Sequence, residues 1–380
     1  MSENKQSNGE SLPEVQWIGD IDRDDVASDL PTLQNVERTI VYRATPETGS
    51  YSHHGYIILH NNTLFATWSN HAKDEDAPGQ RVLWSRSTDE GKTWASWEEL
   101  FPPRDEVKSG DEQDHKNDRI LIANGFGVAD GELYAVAEVH VLENRRGIGR
   151  LARRTSPDGS VGPIFWVHDD PPEPLNDRPA YPDATDPEFT DKAQKVSEWL
   201  ARPENWPSWE FLNHQSRPKA ADGHQMCEPT QAWQLEDGTC VRLYRDLGDP
   251  RSGMNYAQFS FDNGSTWTKP VQTNFPDACS RSAAGQLPDG TAYVINNPGH
   301  GRDPLVISLA EDGLTFDQHA VIVADAPPKR YEGRWKGIGF QYPRATVAGD
   351  NLFVIYSINK EDVEIARIPL DELEELSSTS

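Results

Sequence analysis

The octapeptide Ser87-Thr88-Asp89-Glu90-Gly91-Lys92-Thr93-Trp94 returns as Ser260-Phe261-Asp262-Asn263-Gly264-Ser265-Thr266-Trp267, each time at the end of a β-patterned run. A weaker copy, Glu311-Asp312-Gly313-Leu314-Thr315-Phe316, replaces the Asp by Glu and the Trp by Phe, and Ser156-Pro157-Asp158-Gly159 keeps only the turn. The chemistry is that of a tight turn. Ser and Asp side chains bond turn amides, Gly accepts a positive φ, and the Trp packs back on the sheet. Asp89, Asp262 and both Trp therefore read as a structural repeat and not as a site.

Working outward, a second unit repeats five times: two β-patterned strands around a turn pair of the Asn-Asn, Asp-Gly or Gly-Asp kind. The copies are HHGYIILHNNTLFATWSNH from His53, ANGFGVADGELYAVAEVH from Ala123, CEPTQAWQLEDGTCVRLYRD from Cys227, RSAAGQLPDGTAYVINN from Arg281 and YPRATVAGDNLFVIYSINK from Tyr342. Such hairpins, several followed by the turn repeat, describe an all-β chain folded as a single β-propeller. Thr39 to Arg43 is placed to pair with Val363 to Ile368, joining the two ends of the chain. The rhythm breaks near 170–222, a Pro-rich stretch containing Asp186-Pro187 and apolar Phe189, Ala193, Val196 and Trp199/Leu200. That pattern predicts a helical insertion capped by Asp186. The resulting division is an N-terminal extension over 1–38, a catalytic propeller over 39–370 and a tail over 371–380.

Composition excludes several classes. Lys and Arg number 36 against 62 Asp and Glu, a net charge of −26, so a general nucleic-acid binder is ruled out. Anionic substrates are repelled at long range and must be captured by a local Arg cluster. The segment Met1 to Val15 is polar, which gives the expectation of a cytoplasmic protein with no membrane partner. Cys227, Cys240 and Cys279 lack metal-type spacing and read as reduced structural thiols.

In a propeller, the start of each blade's first strand and the end of its second meet at one face of the disc. The strand starts give His53, His54, Asn124, Glu228, Arg281, Tyr342 and Arg344. The strand ends give Asn70, His71, Glu138, His140, Arg245, Asp246, Asn296, Asn297, Asn359 and Lys360. Adjacent His53 and His54 cannot both face inward from a regular strand, because side chains alternate. No HExxH or CxxC pattern accompanies the histidines, so no metal ligands are assigned and no cofactor is required. A structural divalent cation such as calcium, held by carboxylates and carbonyls, is the one cofactor left open.

The chain resembles the sialidase-like Asp-box propeller superfamily, and within it the branch of L-rhamnose-α-1,4-D-glucuronate lyases and a related α-L-rhamnosidase family. The resembling residues are Ser52-His53-His54-Gly55 with Trp68-Ser69-Asn70, Ala123-Asn124-Gly125-Phe126, Glu228-Pro229-Thr230, Tyr244-Arg245-Asp246, Gly339-Phe340-Gln341-Tyr342-Pro343 and Tyr356 to Asp362. The resemblance implies seven blades, with six as the alternative, and an exo-acting enzyme on acidic glycans. It also implies what a sialidase needs: three Arg on a carboxylate, a Tyr-Glu nucleophile pair and an Asp acid, with Arg43, Arg245 and Arg281 or Arg344 as the candidate Arg set. The leading expectation is β-elimination at a rhamnosyl-glucuronate linkage of an acidic oligosaccharide. His54, His71, Tyr342 and Arg245 are its candidate catalytic residues. His53, Asn70, Asn124, Glu228, Arg281, Asn296 and Arg344 are its candidate substrate-binding residues. The alternative is an exo-glycosidase, an α-L-rhamnosidase or sialidase, hydrolysing a terminal sugar with Glu228 or Asp246 near the departing bond. A monomer or small homo-oligomer is expected.

Overall fold

The turn repeats fold as their side chains dictate. In a computed structural model describing residues 12–77, 79–103, 119–141, 146–168, 186–206 and 217–378, Ser87 Oγ donates to Asp89 Oδ1 at 2.8 Å and accepts the Gly91 amide at 2.9 Å. Asp89 also accepts from the Thr93 amide at 2.9 Å and the Thr93 hydroxyl at 2.6 Å. Ser260, Asp262, Gly264 and Thr266 repeat these bonds at 2.7 to 2.8 Å. Asp312 closes a tighter version on Leu314 and Thr315, and Asp158 holds the Ser160 amide.

These turns join third to fourth strands in a series of antiparallel sheets. The first sheet runs Tyr51–His60, Thr63–His71, Arg81–Ser87 and Glu98–Phe101. The second runs Arg119–Ala129, Glu132–Val141, Arg146–Thr155 and Val161–His168. In the third, two short pieces, Met226–Cys227 and Trp233–Gln234, share the inner position beside Cys240–Asp246, Met254–Ser260 and Val271–Pro276. The fourth is Ala283–Gln286, Ala292–Asn296, Leu305–Ala310 and Gln318–Val323. The fifth is Phe340–Ala348, Asn351–Ile358 and Asp362–Pro369, with Glu37–Tyr42 from the other end of the chain as its outer strand.

Successive sheets share apolar cores, which fixes their order in space. Phe65 and Trp84 of the first meet Leu121 and Trp166 of the second, and Trp68 and Ile57 meet Phe353 and Ile355 of the fifth. Tyr293 and Ile307 of the fourth pack on Leu352 and Val354 of the fifth, while Trp233 and Phe259 of the third pack on Val294 and Val306 of the fourth. Between the second and third sheets the filler is helical. Helix Thr190–Leu200 buries Ala193, Val196 and Leu200, with Phe189 ahead of it, against Tyr134, Val136 and Phe165. The turn Pro203–Asn205 then passes its carbonyls to the third sheet, Pro203 accepting the Ala232 amide at 3.0 Å and Glu204 accepting Gln231 Nε2 at 3.1 Å.

Two expectations need correction. Among the described residues there are five sheets of four or five strands, not seven, because the stretch between the second and third sheets contributes a helix where another set of strands would stand. The helix itself begins at Thr190, and Asp186 acts one turn earlier: its side chain accepts the Glu188 amide at 3.1 Å and its carbonyl the Phe189 and Thr190 amides at 2.9 and 3.0 Å. The rest of the insertion, 169–185 and 207–216, lies outside the described residues. The extension is tied to the sheets: Gln16–Trp17 pairs with Thr315–Phe316, and Trp17 stacks on His319 at 3.5 Å. The tail forms helix Leu370–Ser378, which buries Leu373. Among the described residues no helix is long and apolar enough to cross a membrane.

Gly91 shows how closely a turn repeat packs on the neighbouring sheet. It sits at φ +78°, and a Cβ there would lie 2.3 Å from the Phe353 ring. Gly131, at φ +77°, has no atom within 4 Å of that position. Gly131→Ala should cost about 1 kcal/mol from backbone strain alone. Gly91→Ala should cost roughly 2–5 kcal/mol, because overpacking adds to the same strain. Equal denaturation midpoints for the two variants would contradict the packing described.

Candidate active site

The site begins with an extra residue in the innermost strands. In the first sheet His53 pairs with Ser69 and Tyr56 with Thr67, so two residues, His54 and Gly55, are inserted against one. The second sheet does the same with Asn124 and Gly125 between Ala123 and Phe126, and the fifth with Tyr342 and Pro343 between Gln341 and Arg344. In the third sheet the inner strand breaks at the matching place, directly after Cys227, at Glu228. Backbone φ is positive at His54 (55°), Gly125 (94°), Glu228 (53°) and Tyr342 (57°). Such a bulge re-aims a side chain that alternation would turn away. It corrects the expectation for the two histidines: both face the centre, with ring centroids 4.1 Å (His53) and 5.7 Å (His54) from that of Tyr342.

Around Tyr342 the geometry is close. Its hydroxyl donates to Glu228 Oε1 at 2.7 Å and accepts from Arg245 Nη1 at 2.9 Å, and Arg245 Nη1 also reaches Glu228 Oε2 at 2.8 Å. Arg302 lies 5.5 Å and Lys360 5.8 Å from the ring centre. A cleft of about 310 Å³ opens above this group, walled by Glu75, His140, Arg217, Arg302 and Trp335 among others. Its charge is locally positive on a protein whose net charge is −26.

Burial and neighbours set different protonation states. Burial alone would raise the Glu228 carboxyl, but Arg245 and the Tyr342 hydroxyl carry it below the usual range, so it stays ionised. Glu75 goes the other way: burial holds it above the usual range although Lys360 is salt-bridged to it. Tyr342 is pushed up by burial and by Glu228 and is a neutral phenol. His53 and His54 are driven well down by burial and by the surrounding cations, so both imidazoles are neutral. Two carboxyl groups whose pKa values are pushed in opposite directions at one cleft are the usual material of acid–base catalysis.

The other residues expected at the site divide by position. Asn124 donates to Glu138 at 3.2 Å, and Glu138 meets His140, which lines the cleft, at 2.9 Å. Arg281 and Arg344 lie behind Tyr342, both within about 5 Å of the Tyr56 ring, and neither lines the cleft. His71 is not brought to the centre. Its Nδ1 accepts the Lys73 and Asp74 amides at 3.2 and 2.9 Å and so shapes the loop that carries Glu75. Asn70 braces Tyr42, Tyr51, Ser52 and Arg81. Asn296 holds the Pro276 carbonyl at 2.8 Å, and Asp246 is occupied by Gly248, Ser252 and His224. Arg43 pairs with Asp362 at 3.0 Å, with more than half of its side chain exposed. The cleft instead takes Arg302, Arg217 and Glu75, three loop residues that a strand-end argument passes over. The Gly/Pro-punctuated run Asn297-Pro298-Gly299-His300-Gly301-Arg302 was the available signal for the first.

His53, His54 and Glu75 present ligand atoms within 4.8 Å of one another. The set does not suit calcium, which needs six or more oxygens. A transition metal would have to displace Lys360 from Glu75 amid the positive charges of Arg281 and Arg302.

Comparison with known proteins gives the setting of this geometry. The BNR repeat-like domain matches residues 189–355, and the BT_1020-like, N-terminal beta propeller matches residues 31–210. No curated protein matches the chain. Among solved structures, one titled "Sialidase" superposes with a TM-score of 0.74 at 24% identity, covering 94% of this chain and 35% of that one. The chain thus spans about a third of that protein's length. A Dyadobacter fermentans protein of unknown function gives a TM-score of 0.53 at 13% identity over 88% of this chain and 99% of its own. The Trypanosoma rangeli sialidase gives 0.53 at 11% identity over 91% and 61%. These matches show a sialidase-like fold, and the rhamnosyl-glucuronate lyase branch rests on the motif resemblance alone. The chain is sialidase-like in fold and built on the BNR/Asp-box repeat.

Proposed function

We propose that the protein is a carbohydrate-active enzyme that hydrolyses the glycosidic bond of a terminal, anionic sugar, with Tyr342 as nucleophile. The observation that carries this reading is the Tyr342 hydroxyl held 2.7 Å from an ionised Glu228 and 2.9 Å from Arg245. A carboxylate nucleophile would be repelled by an anionic sugar, whereas a neutral phenol with a carboxylate behind it is not. Arg217, Arg302 and Lys360 supply the local positive field that such a substrate requires on an acidic protein.

In the first step the Tyr342 oxygen bonds to the anomeric carbon, its proton passes to Glu228, and the bond to the departing oxygen breaks. Glu75, whose carboxyl is held above the usual range by burial, gives its proton to that oxygen. In the second step water attacks the anomeric carbon and the Tyr342–carbon bond breaks. Tyr342 recovers its proton from Glu228, and Glu75 takes the proton of the water. Tyr nucleophiles are an established variant of retaining glycoside hydrolysis.

A second reading, β-elimination at a uronate, is favoured by one observation: two neutral imidazoles, His53 and His54, packed beside the same tyrosine. Incubation with rhamnosyl-glucuronate and sialyl oligosaccharides separates the two. Hydrolysis releases a saturated sugar without ultraviolet absorbance, and elimination produces an absorbing unsaturated uronate. Absorbance rising in step with product would overturn the hydrolytic reading.

Tyr342→Phe and Glu228→Gln should each lower kcat by about 10²–10⁴-fold. Activity should fall as pH rises through the Glu75 pKa, above the usual carboxylate range, because the acid is then deprotonated. Glu75→Gln should remove that alkaline limb. It should also cost far more with a poor leaving group than with a nitrophenyl glycoside, which needs no proton. An unchanged alkaline limb in Glu75→Gln would rule Glu75 out as the acid.

A further inference from the structure

The loop that brings Arg302 to the cleft is not held by its own sheet alone. It runs over 297–304, from the end of Ala292–Asn296 to the start of Leu305–Ala310. At its far end Arg302 is tied to the strand of Tyr342. Its carbonyl accepts the Phe340 amide at 2.7 Å, and its Nη1 donates to Gln341 Oε1 at 2.5 Å. The near end has a different support, Arg23 of the N-terminal extension. Arg23 Nε donates to the Pro298 carbonyl at 2.9 Å, and Nη2 donates to the carbonyls of Gly299 at 3.1 Å and Asp277 at 2.9 Å. Its own carbonyl accepts the His300 amide at 3.1 Å.

Three consecutive residues of the loop thus direct backbone groups to one residue far away in the chain. Backbone N–H and C=O groups withdrawn from water need partners, and Gly299 is buried. Gly299 and Gly301 bring no side chain that could pack the loop in place. A guanidinium suits this task, because its planar fork serves several carbonyls at once. The fit is close: a Cβ on Gly253 would lie 2.8 Å from Arg23 Nη1, and one on Gly299 would lie 3.1 Å from the Arg23 carbonyl oxygen. The extension has other anchors. Gln16–Trp17 pairs with Thr315–Phe316, the Trp17 backbone exchanges bonds of 2.8 and 2.9 Å with the Asn274 side chain, and Val26 is buried in the core shared by the third and fourth sheets.

We propose that Arg23 is a positioning residue for Arg302: it fixes the near end of the 297–304 loop, so that the Arg302 guanidinium stays where the anionic group of the substrate binds. The inference rests on the reading of Arg302 as part of the anion-binding wall, and it makes the N-terminal extension part of the working site. A group that binds ground state and transition state alike raises KM when it is displaced and leaves kcat nearly unchanged.

The test uses the full chain and two readouts. Hydrogen exchange of the substrate-free protein compares the amides of 299–302 with those of Ala292–Asn296 and Leu305–Ala310. In Arg23→Met the loop should exchange about tenfold faster or more, while both strands keep wild-type rates. KM and kcat are then measured with the sialyl or rhamnosyl-glucuronate oligosaccharide. Arg23→Met should raise KM about tenfold and hold kcat within about twofold. Because Arg23 acts through Arg302, it should add nothing to the KM of Arg302→Met, whereas a residue that only secured the extension would act additively. Arg23→Lys should recover part of the wild-type KM, and it carries the same comparisons should Arg23→Met fail to fold. Loop exchange that stays at the wild-type rate overturns the proposal whether or not either sugar is turned over, and so does an additive effect on KM. A wild-type KM in Arg302→Met is a distinct outcome: it overturns the reading of Arg302 as an anion binder, and the proposal with it.

Discussion

One extra residue in each of several inner strands is the constraint on which the rest of the molecule turns. A regular strand would send His54, Asn124 and Tyr342 to the opposite face from His53, Ala123 and Gln341. The inserted residue and the positive φ beside it break that alternation and aim the first three inward. Glu228 arrives by the same device where the third sheet's inner strand is interrupted. Left-handed backbone at a non-glycine residue is strained. At His54, Glu228 and Tyr342 that strain is held by sheets whose flanking strands stay in register. The outer turns are the counterpart: Asp89 and Asp262 satisfy their own amides and leave the inner edges free to deviate.

Electrostatics then gives chemically different roles to similar groups. Burial acts on Glu228 and Glu75 alike, but Glu228 has both Arg245 and a phenol bonded to it, while the lysine on Glu75 does not outweigh desolvation. The outcome is two carboxyl groups at one cleft whose pKa values are moved in opposite directions, set by partners and not by residue type. The cleft is locally positive on an acidic protein, and it is this contrast on which the proposal of an anionic sugar substrate rests.

Much of this was legible in the sequence. Turn chemistry identified the repeat, hairpin spacing located five inner strands, and the rule that strand starts meet at one face selected His53, His54, Glu228 and Tyr342. The pairing of Thr39 to Arg43 with Val363 to Ile368 is seen from Glu37 to Tyr42. What escaped lies in three kinds of place. Loop residues such as Glu75 and Arg302 carry no periodicity to find them by. The strand ends Asn70, His71 and Asn296 turned out to brace loops and neighbouring sheets, because a polar end can satisfy backbone as readily as it can face a ligand. The inward turn of both histidines depends on a bulge that alternation rules exclude and that only Gly55 and Gly125 hinted at. Against the seven, or six, sheets expected, the described residues form five of four or five strands, and the described part of the insertion is helical.

The central claim is that Tyr342, backed by Glu228, is the reacting group. It is tested most directly by trapping. The protein is incubated with an activated, fluorine-substituted glycoside of an acidic sugar, whose second step is slow, and the digest is analysed by mass spectrometry. The account predicts a glycosyl adduct on the peptide bearing Tyr342, absent from Tyr342→Phe. An adduct on Glu228 or another carboxylate, in an enzyme that turns over the unsubstituted sugar, would contradict it.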